Sequence, residues 1–404
     1  MRMALTRAEK IIFLLIVSLF ILPASVKIMP NFLNVELSLP QPFGGDLKGV
    51  TIDEPRPGLS LQGWLTREFQ DQFSKWFNQS YGARSFLVRM GNQLNYSLFN
   101  KSYMNTPSMI IGHHGQLYEI PYINEYCGPR PTMPLSLMET RVQEIADLQY
   151  LLARKGVTFL LLITPSKAAM YPEYIPSNLC HAAPSSKRGY DNFIPLLEKH
   201  HVNYVDGHVI TQRATQIDKT PLFCQGSSHW NYLGAYYTVR VLIETLNGLL
   251  NRKAGGLGLE AVNVDHTPTG SDKDLAELLN LFFPPFDYVV PHPVISRKGG
   301  TEDLGRAVIV GTSFNWIPID LFNTHQVFKQ IDFFYYYTLA LHSFPGQRSL
   351  PIDVGKIDWE NIILTSDVII LEVNEINVTA GYASAFVSDA LQHLRHVSPK
   401  SEAS

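Results

Sequence analysis

Two side chains that could take part in catalysis, a histidine and a serine, lie in separate parts of the chain. His229 lies in GSSHWN (226–231), a Ser/Gly-rich loop directly before a segment with helical periodicity. Ser313 lies in GTS (311–313), directly after the apolar run AVIVG (307–311), which is typical of a buried parallel strand. A serine at the end of such a strand can be exposed as a nucleophile, and a histidine can accept its proton. The two motifs therefore indicate serine-based acyl chemistry, provided that the fold brings them together.

The elements that would position this pair alternate between strands and helices over about 250 residues. Continuous apolar runs at 157–164, 307–311 and 367–373 are typical of buried strands. A helical stripe over 142–152 ends at Lys155-Gly156, as a C-cap does, and a second stripe follows His229. The pattern predicts an α/β domain with a largely parallel sheet, in which ligands lie beyond the carboxyl ends of the strands.

Other stretches carry weaker predictions about local structure. PSMIIGHHGQLYE (107–119) indicates a short strand pair around a glycine turn. A Gly-rich patch at 254–258 and a Pro-rich stretch at 284–293 are interpreted as loops.

The N-terminus has the features of an export signal. Three basic residues among the first ten precede a continuous apolar run, and this order is typical of a segment whose N-terminal end stays in the cytoplasm. Because no good cleavage site follows, we expect an uncleaved signal anchor over 1–29, with a cleaved signal peptide as the alternative. Residues 30–105 are predicted to form a Pro/Gly-rich linker and amphipathic helices, and 106–404 the main domain.

Composition argues against some classes of protein and leaves the pairing of the cysteines open. The net charge is −3 with scattered basic residues, which argues against nucleic-acid binding. No cofactor is expected, and no cysteine or histidine spacing suggests a metal site. Of Cys127, Cys180 and Cys224, two could form a disulfide in an oxidising compartment, but the sequence does not say which two.

Taken together, these motifs resemble the exported O-acetyltransferases of the alginate type, the AlgJ/AlgX group of the SGNH hydrolase superfamily. That family carries its histidine in a DxHW motif and its serine in a later G(D/T)S motif, and here His229 likewise precedes Ser313. The resemblance implies an SGNH-like (flavodoxin-like) three-layer sandwich with a permuted motif order. Four further stretches fit the family: FN (77–78) with YGAR (81–84), IIGHHGQLYE (110–119), ITPSKAAMYPEYIPS (163–177) and SDVIILEVNE (366–375).

The resemblance also implies roles for individual residues. Ser313 would be the nucleophile and His229 its general base, passing an acetyl group to a sugar hydroxyl through an acetyl-enzyme. Backbone N–H groups of Ser313 and Asn315 would stabilise the oxyanion. Trp230 would pack beside the site.

The chain departs from the family at one position, because Ser227 stands where the family has its aspartate. Loss of the acid that orients a catalytic histidine can cost a factor of about 10⁴ in rate. Three interpretations are open: Ser227 orients the ring as a neutral partner, another carboxylate such as Asp206 or Asp218 takes its place in space, or catalysis has been lost and polysaccharide binding retained.

Three other groups are interpreted conservatively. His113-His114 is expected to form a surface turn and not a metal site, because adjacent histidines on a strand point apart. Glu372 and Glu375, at the end of a strand, are expected to play a structural or substrate-orienting role. Lys167 is expected to belong to a loop that stabilises the fold, and the family resemblance suggests as the alternative that it lies near the site.

The N-terminal pattern predicts a single-pass inner-membrane protein with a periplasmic domain, and the resemblance implies that this domain O-acetylates an exported polysaccharide. By resemblance, the acetyl donor would be passed on by a membrane-bound acyltransferase of the MBOAT class. A non-catalytic polysaccharide-binding or scaffold subunit and a carbohydrate acetyl esterase are the alternatives.

Overall fold

The computed structural model describes most of the chain but little of its N-terminus. The predicted anchor (1–29) and linker fall largely outside the described residues, and the described positions before residue 20 are helical. Within the described part of the chain, no helix is both long and apolar enough to cross a membrane. The predicted domain boundaries at 29 and 105 stay predictions. The described residues are 7, 10–14, 17–18, 45–50, 55–80, 84–102, 109–128, 133–180, 188–300 and 302–396.

The chain divides into two compact units. The smaller comprises the described residues within Met1–Pro107 together with Ala276–Pro284. Its helices follow the predicted amphipathic segments, except that Arg67, in the left-handed region at φ 66°, divides the first of them. Residues 81–83 of the YGAR motif lie outside the described residues. The helices are α1 (Leu61–Leu65), α2 (Glu68–Ser80) and α3 (Arg84–Phe99).

The larger unit, Ser108–Leu275 with Pro285–Ser404, is built on a seven-stranded mixed sheet. In spatial order its strands are β10-β9-β8-β7-β11-β3-β4, and the five from β8 to β4 run parallel. The last two, β9 and β10, continue the sheet as an antiparallel edge. The strands are β3 (Thr158–Thr164), β4 (Tyr204–Asp206), β7 (Arg306–Gly311), β8 (Gln330–Tyr335), β9 (Ala340–Phe344), β10 (Arg348–Pro351) and β11 (Val368–Asn374).

Helices cover both faces of this sheet, because successive residues of the buried strands point to opposite sides. In β3, Leu160 and Leu162 join one apolar core, and Leu161 and Ile163 join the other. The predicted α/β domain with a largely parallel sheet between two helical layers is therefore confirmed. The first core packs against α8 (Gly207–Ile217), α9 (Tyr232–Leu250) and α11 (Trp316–Thr324), and the second against α5 (Leu135–Arg154), α7 (Gly189–Lys199) and α12 (Gly381–His396).

Two small sheets lie outside the main one. The predicted strand pair is confirmed as β1 (Met109–Ile111) and β2 (Leu117–Glu119), which are antiparallel. The interpretation of 254–258 and 284–293 as loops was partly wrong, because β5 (Gly256–Asp265) and β6 (Val290–Lys298) pair along their whole length. The glycines and prolines obscured the alternation of apolar and polar residues in these two segments. Each segment is a strand because the other supplies its hydrogen bonds. The remaining short helices are α4 (Ile120–Cys127), α6 (Lys167–Met170) and α10 (Asp274–Leu278).

The structure resolves the cysteine pairing that the sequence left open. Cys127, at the end of α4, is bonded to Cys180, 53 residues further along the chain. Cys224 is a free, fully buried thiol, and burial raises its pKa well above the usual value.

Replacing both Cys127 and Cys180 by serine is expected to lower the free energy of unfolding by roughly 4 kcal/mol. The reason is that the unfolded chain is no longer restricted by the loop that the disulfide closes. Denaturant unfolding of the variant and of the wild type, with and without reductant, measures this difference. Reductant should destabilise the wild type alone, and equal stability of all four samples would contradict the prediction.

Candidate active site

Ser313 and His229 meet at the carboxyl edge of the main sheet. β7 ends at Gly311, and Ser313 begins a short 3-10 turn (Ser313–Asn315) that leads into α11. The Nε2 atom of His229 lies 2.7 Å from Ser313 Oγ, within hydrogen-bonding distance. The fold thus brings together the two residues that the motifs paired, in the geometry in which a histidine can take a serine proton.

The turn that carries Ser313 is held by Glu372, a fully buried carboxylate of β11. It accepts hydrogen bonds from the backbone N–H of Thr312 at 2.7 Å, the Thr164 hydroxyl at 2.5 Å and the Asn315 side-chain amide at 3.0 Å. Burial raises the pKa of Glu372, and these hydrogen bonds oppose the shift. Of the two roles expected for Glu372, the contacts support the structural one.

Two further details show how tightly the turn is packed. A Cβ at Gly311 would collide with the Asn315 amide and lie 2.5 Å from Glu372 Oε2, so only glycine fits there. The contacts of Asn315 do not support its expected role at the oxyanion. Its backbone N–H donates to the Thr312 carbonyl at 3.1 Å, and its side-chain amide donates to the Thr312 carbonyl and to Glu372. The backbone of Ser313 stays the predicted oxyanion donor.

The loop before His229 is wrapped around Lys167. The Lys167 ammonium group, 2% exposed, donates to the carbonyls of Cys224 and Gln225 at 2.8 Å and of Ser227 at 3.0 Å. Burial lowers the pKa of Lys167 to about 7. Because all three N–H groups bond to the loop that carries His229, Lys167 is a positioning residue near the site, and the loop that it stabilises is this one and not its own segment.

Lys167→Met is expected to lower kcat roughly 100-fold, because displacing a catalytic group by about 1 Å can cost that much. KM for a small ester should change little, since Lys167 faces the loop and not the nucleophile. Steady-state kinetics of an acetyl ester measures both constants. Lys199→Met removes an exposed lysine on α7 and is the matched control. An unchanged kcat in Lys167→Met would contradict the positioning role.

Asp274, the first residue of α10, lies beside His229 and is the third polar residue of the site. Its Oδ2 atom accepts a hydrogen bond from His229 Nδ1. Its Oδ1 atom accepts from the backbone N–H groups of Ser228 at 2.8 Å and Leu275 at 2.7 Å. The carboxylate is therefore fixed on both oxygens, and the His229 ring is held with Nε2 toward the serine. This is the arrangement of a Ser–His–Asp triad.

The other candidates for the orienting group lie elsewhere. Ser227 does not contact the imidazole, because its hydroxyl donates to the carbonyls of Cys224 and His229. Asp206 caps α8 and accepts from the Tyr190 hydroxyl. Asp218 accepts from Thr220 and from the Tyr237 hydroxyl. Of the three interpretations left open, the contacts support the second, in which another carboxylate takes the place of the acid in space, but that carboxylate is Asp274 and not Asp206 or Asp218.

The walls of the site come from aromatic and polar groups of neighbouring segments. Trp230 is buried and donates from Nε1 to the Phe314 carbonyl at 3.2 Å, which confirms that it packs beside the site. Tyr336 follows β8 with a left-handed backbone (φ 47°), and its backbone N–H donates to the Gly311 carbonyl at 2.8 Å, directly before the turn that carries Ser313. Ser228 donates to Glu119 at the end of β2. Neither Tyr336 nor Glu119 was anticipated from the sequence.

The remaining polar candidates are accounted for by local structure. His113 and His114 form the 3-10 turn between β1 and β2, where the His114 ring contacts Tyr174 edge to face. Glu375 accepts from the Ser166 backbone N–H at 2.5 Å and pairs with His208. Among the described residues, no cluster of histidine, cysteine and carboxylate side chains is arranged to hold a metal ion.

An α/β sandwich with a serine, a histidine and an aspartate linked in series at the carboxyl edge of its sheet defines an acyl-transferring site of the serine-hydrolase type. Residues 133–291 match the family described as "SGNH hydrolase-like domain, acetyltransferase AlgX". This segment includes His229 and Asp274 and ends before Ser313. The predicted resemblance to the AlgJ/AlgX group is confirmed.

Individual relatives are distant. The probable alginate O-acetylase AlgJ of Pseudomonas aeruginosa is 26% identical over 273 residues, which span 64% of this chain and 64% of that protein. The O-acetyltransferase domain of Pseudomonas putida AlgJ is 16% identical, with a TM-score of 0.45 over 70% of this chain and 99% of that one. Pseudomonas aeruginosa AlgX is 13% identical, with a TM-score of 0.44 over 71% and 70%.

Proposed function

We propose that this protein is an O-acetyltransferase that acetylates an exported polysaccharide through a serine acetyl-enzyme. The observation that carries the proposal is the series Ser313–His229–Asp274, in which both ring nitrogens of the histidine are engaged. Similarity to a probable alginate O-acetylase and to an acetyltransferase domain supports acetyl transfer as the reaction. The complete triad argues against a non-catalytic binding or scaffold role.

The reaction follows from the geometry in two half-reactions. Ser313 Oγ attacks the carbonyl carbon of an acetyl ester or thioester while His229 Nε2 takes its proton. The tetrahedral intermediate collapses, and His229 returns that proton to the departing alcohol or thiol. A sugar hydroxyl then gives its proton to His229 and attacks the acetyl-serine carbonyl carbon. As the intermediate collapses, the bond to Ser313 Oγ breaks, His229 returns the proton to that oxygen, and the acetyl group stays on the sugar. Asp274 stabilises the imidazolium in both steps.

The cellular setting belongs to the same proposal. The basic, then apolar, N-terminal sequence supports an inner-membrane anchor with the catalytic domain in the periplasm, or a cleaved signal with a soluble periplasmic form. The Cys127–Cys180 disulfide supports an oxidising compartment. An acetyl donor would have to be supplied from the cytoplasm, and a membrane-bound acyltransferase of the MBOAT class would fill that role.

The proposal is tested by separating formation of the acetyl-enzyme from transfer. Purified full-length protein is mixed with a chromogenic acetyl ester, and the Ser313 peptide is examined by mass spectrometry for an added acetyl group. Deacetylated oligosaccharides are then added and examined for acetyl esters. An acetylated Ser313 and an acetylated sugar are the expected results. Acetylation of Ser313 followed only by release of acetate would identify an esterase instead, and no acetyl-serine would overturn both.

A further inference from the structure

Aromatic rings form a continuous row that starts at the nucleophile. Tyr336, whose backbone N–H donates to the Gly311 carbonyl at 2.8 Å beside the nucleophile's turn, has its ring centre 4.8 Å from that of Tyr335. The Tyr335 ring lies 5.4 Å from Trp316, and Trp316 lies 4.9 Å from His342 on the edge strand β9. We call Tyr336, Tyr335, Trp316 and His342 the aromatic row.

Trp316 is placed in this row differently from the other apolar residues of α11. It is the first residue of the helix, three positions after Ser313, and it is 36% exposed. Ile317 and Phe322 of the same helix are 6% and 1% exposed. Edge-to-face contacts with Phe333, at 5.1 Å, and with His342 fix the indole without covering it. A rigid aromatic surface thus stands open to solvent beside the nucleophile's turn.

The strand neighbours of the row are uncharged side chains. By strand register, Trp316 shares its face of the sheet with Phe333 and Tyr335 of β8 and Ala340 and His342 of β9, and these residues carry no fixed charge. Burial lowers the pKa of His342, which favours its uncharged form.

The carboxylates near the row add negative potential. Glu119 accepts a hydrogen bond from Ser228, next to His229, and Glu372 accepts one from the Thr312 backbone N–H, next to Ser313. Asp320, one helical turn beyond Trp316, accepts a hydrogen bond from the half-exposed Tyr232 at 2.8 Å. Acidic neighbours disfavour a polyanion at this surface by like-charge repulsion.

We propose that the aromatic row is the acceptor subsite, where a pyranose ring of an uncharged polysaccharide stacks on Trp316 and presents a hydroxyl to the acetylated Ser313. One face of a pyranose is lined by C–H groups, which lose contact with water on an aromatic ring. Hydroxyls at the sugar rim can bond to Tyr336 and His342, which fixes orientation. The inference rests on the proposed function and specifies its acceptor as a neutral sugar and not a uronate.

The test measures binding apart from turnover. Full-length Ser313→Ala protein is titrated calorimetrically with three neutral oligosaccharides (cellohexaose, mannohexaose and chitohexaose) and with hexamannuronate. At least one neutral hexamer should bind more tightly than hexamannuronate. Adding Trp316→Ala should weaken that binding about tenfold or more, as the loss of a stacked ring predicts. Trp316→Phe should recover most of the affinity, which a merely structural role would not explain.

Tyr150→Ala removes an exposed aromatic ring of α5, 64% exposed, and is the control that should leave affinity unchanged. Equal binding with and without Trp316, or tighter binding of hexamannuronate than of every neutral hexamer, overturns the subsite. Binding that depends on Trp316 in a protein whose wild type hydrolyses esters but never acetylates the sugar would keep the subsite and overturn the transferase function. Absence of both binding and transfer overturns both.

Discussion

Asp274→Asn should lower kcat for a chromogenic acetyl ester by a factor of about 10⁴, the cost of the same change in serine-protease triads. An asparagine can still accept from the N–H groups of Ser228 and Leu275, so the local backbone should hold. It cannot stabilise the imidazolium, and it leaves the His229 ring free to adopt the wrong tautomer. Steady-state kinetics with both proteins at matched concentration measures the loss.

Ser227→Ala is the control for this prediction, because the Ser227 hydroxyl bonds to two backbone carbonyls and does not reach the ring. A decrease of no more than a few-fold is expected for Ser227→Ala. A 10⁴-fold decrease in Ser227→Ala with near-normal activity in Asp274→Asn would return the orienting role to Ser227. Ser227→Asp should be harmful and not restorative, because it would place a carboxylate against the same two carbonyl oxygens.

Ser313→Ala and His229→Ala should each remove acetyl-ester turnover almost completely, by a factor on the order of 10⁶ as in other enzymes where serine and histidine act as one unit. Ser313→Ala removes the atom that carries the acetyl group. His229→Ala leaves that atom without the base that is 2.7 Å away. Mass spectrometry should find no acetylated residue 313 in either variant.

The double variant provides the internal check. Because the two residues act in one proton transfer, losing both should cost about as much as losing either one. Losses that instead multiply would show that the serine and the histidine act independently, which would contradict the triad. Unchanged thermal unfolding of the variants would show that the losses come from chemistry and not from unfolding.

The parts of this structure that the sequence predicted are those encoded by local patterns. The runs VTFLLLIT and AVIVG form the buried strands β3 and β7, because strands whose apolar residues do not alternate with polar ones must be covered on both faces. Ser313 could be found because it directly follows such a strand. His229 could be found because it stands before a helix with a clear stripe and an Asn231 cap.

Contacts between distant segments were beyond prediction. Asp274 lies in SDKDLAEL, where the two aspartates look alike, and only the fold shows that Asp272 faces the buried Cys224 while Asp274 faces His229. Tyr336 stands in the aromatic run FFYYY, where left-handed backbone at Tyr336 and Tyr337, invisible in the composition, decides which residue lies beside the turn that carries Ser313.

The position of Asp274 bears on how relatives of this chain are sorted into enzymes and pseudoenzymes. The residue two places before the histidine is a neutral serine, and by that criterion alone the chain would be counted as inactive. The acid is instead Asp274, which lies 45 residues further along the chain on a separate helix and accepts a hydrogen bond from His229 Nδ1. An aspartate missing from one short motif is therefore evidence of a relocated function as much as of a lost one, and the histidine's second partner must be sought in space.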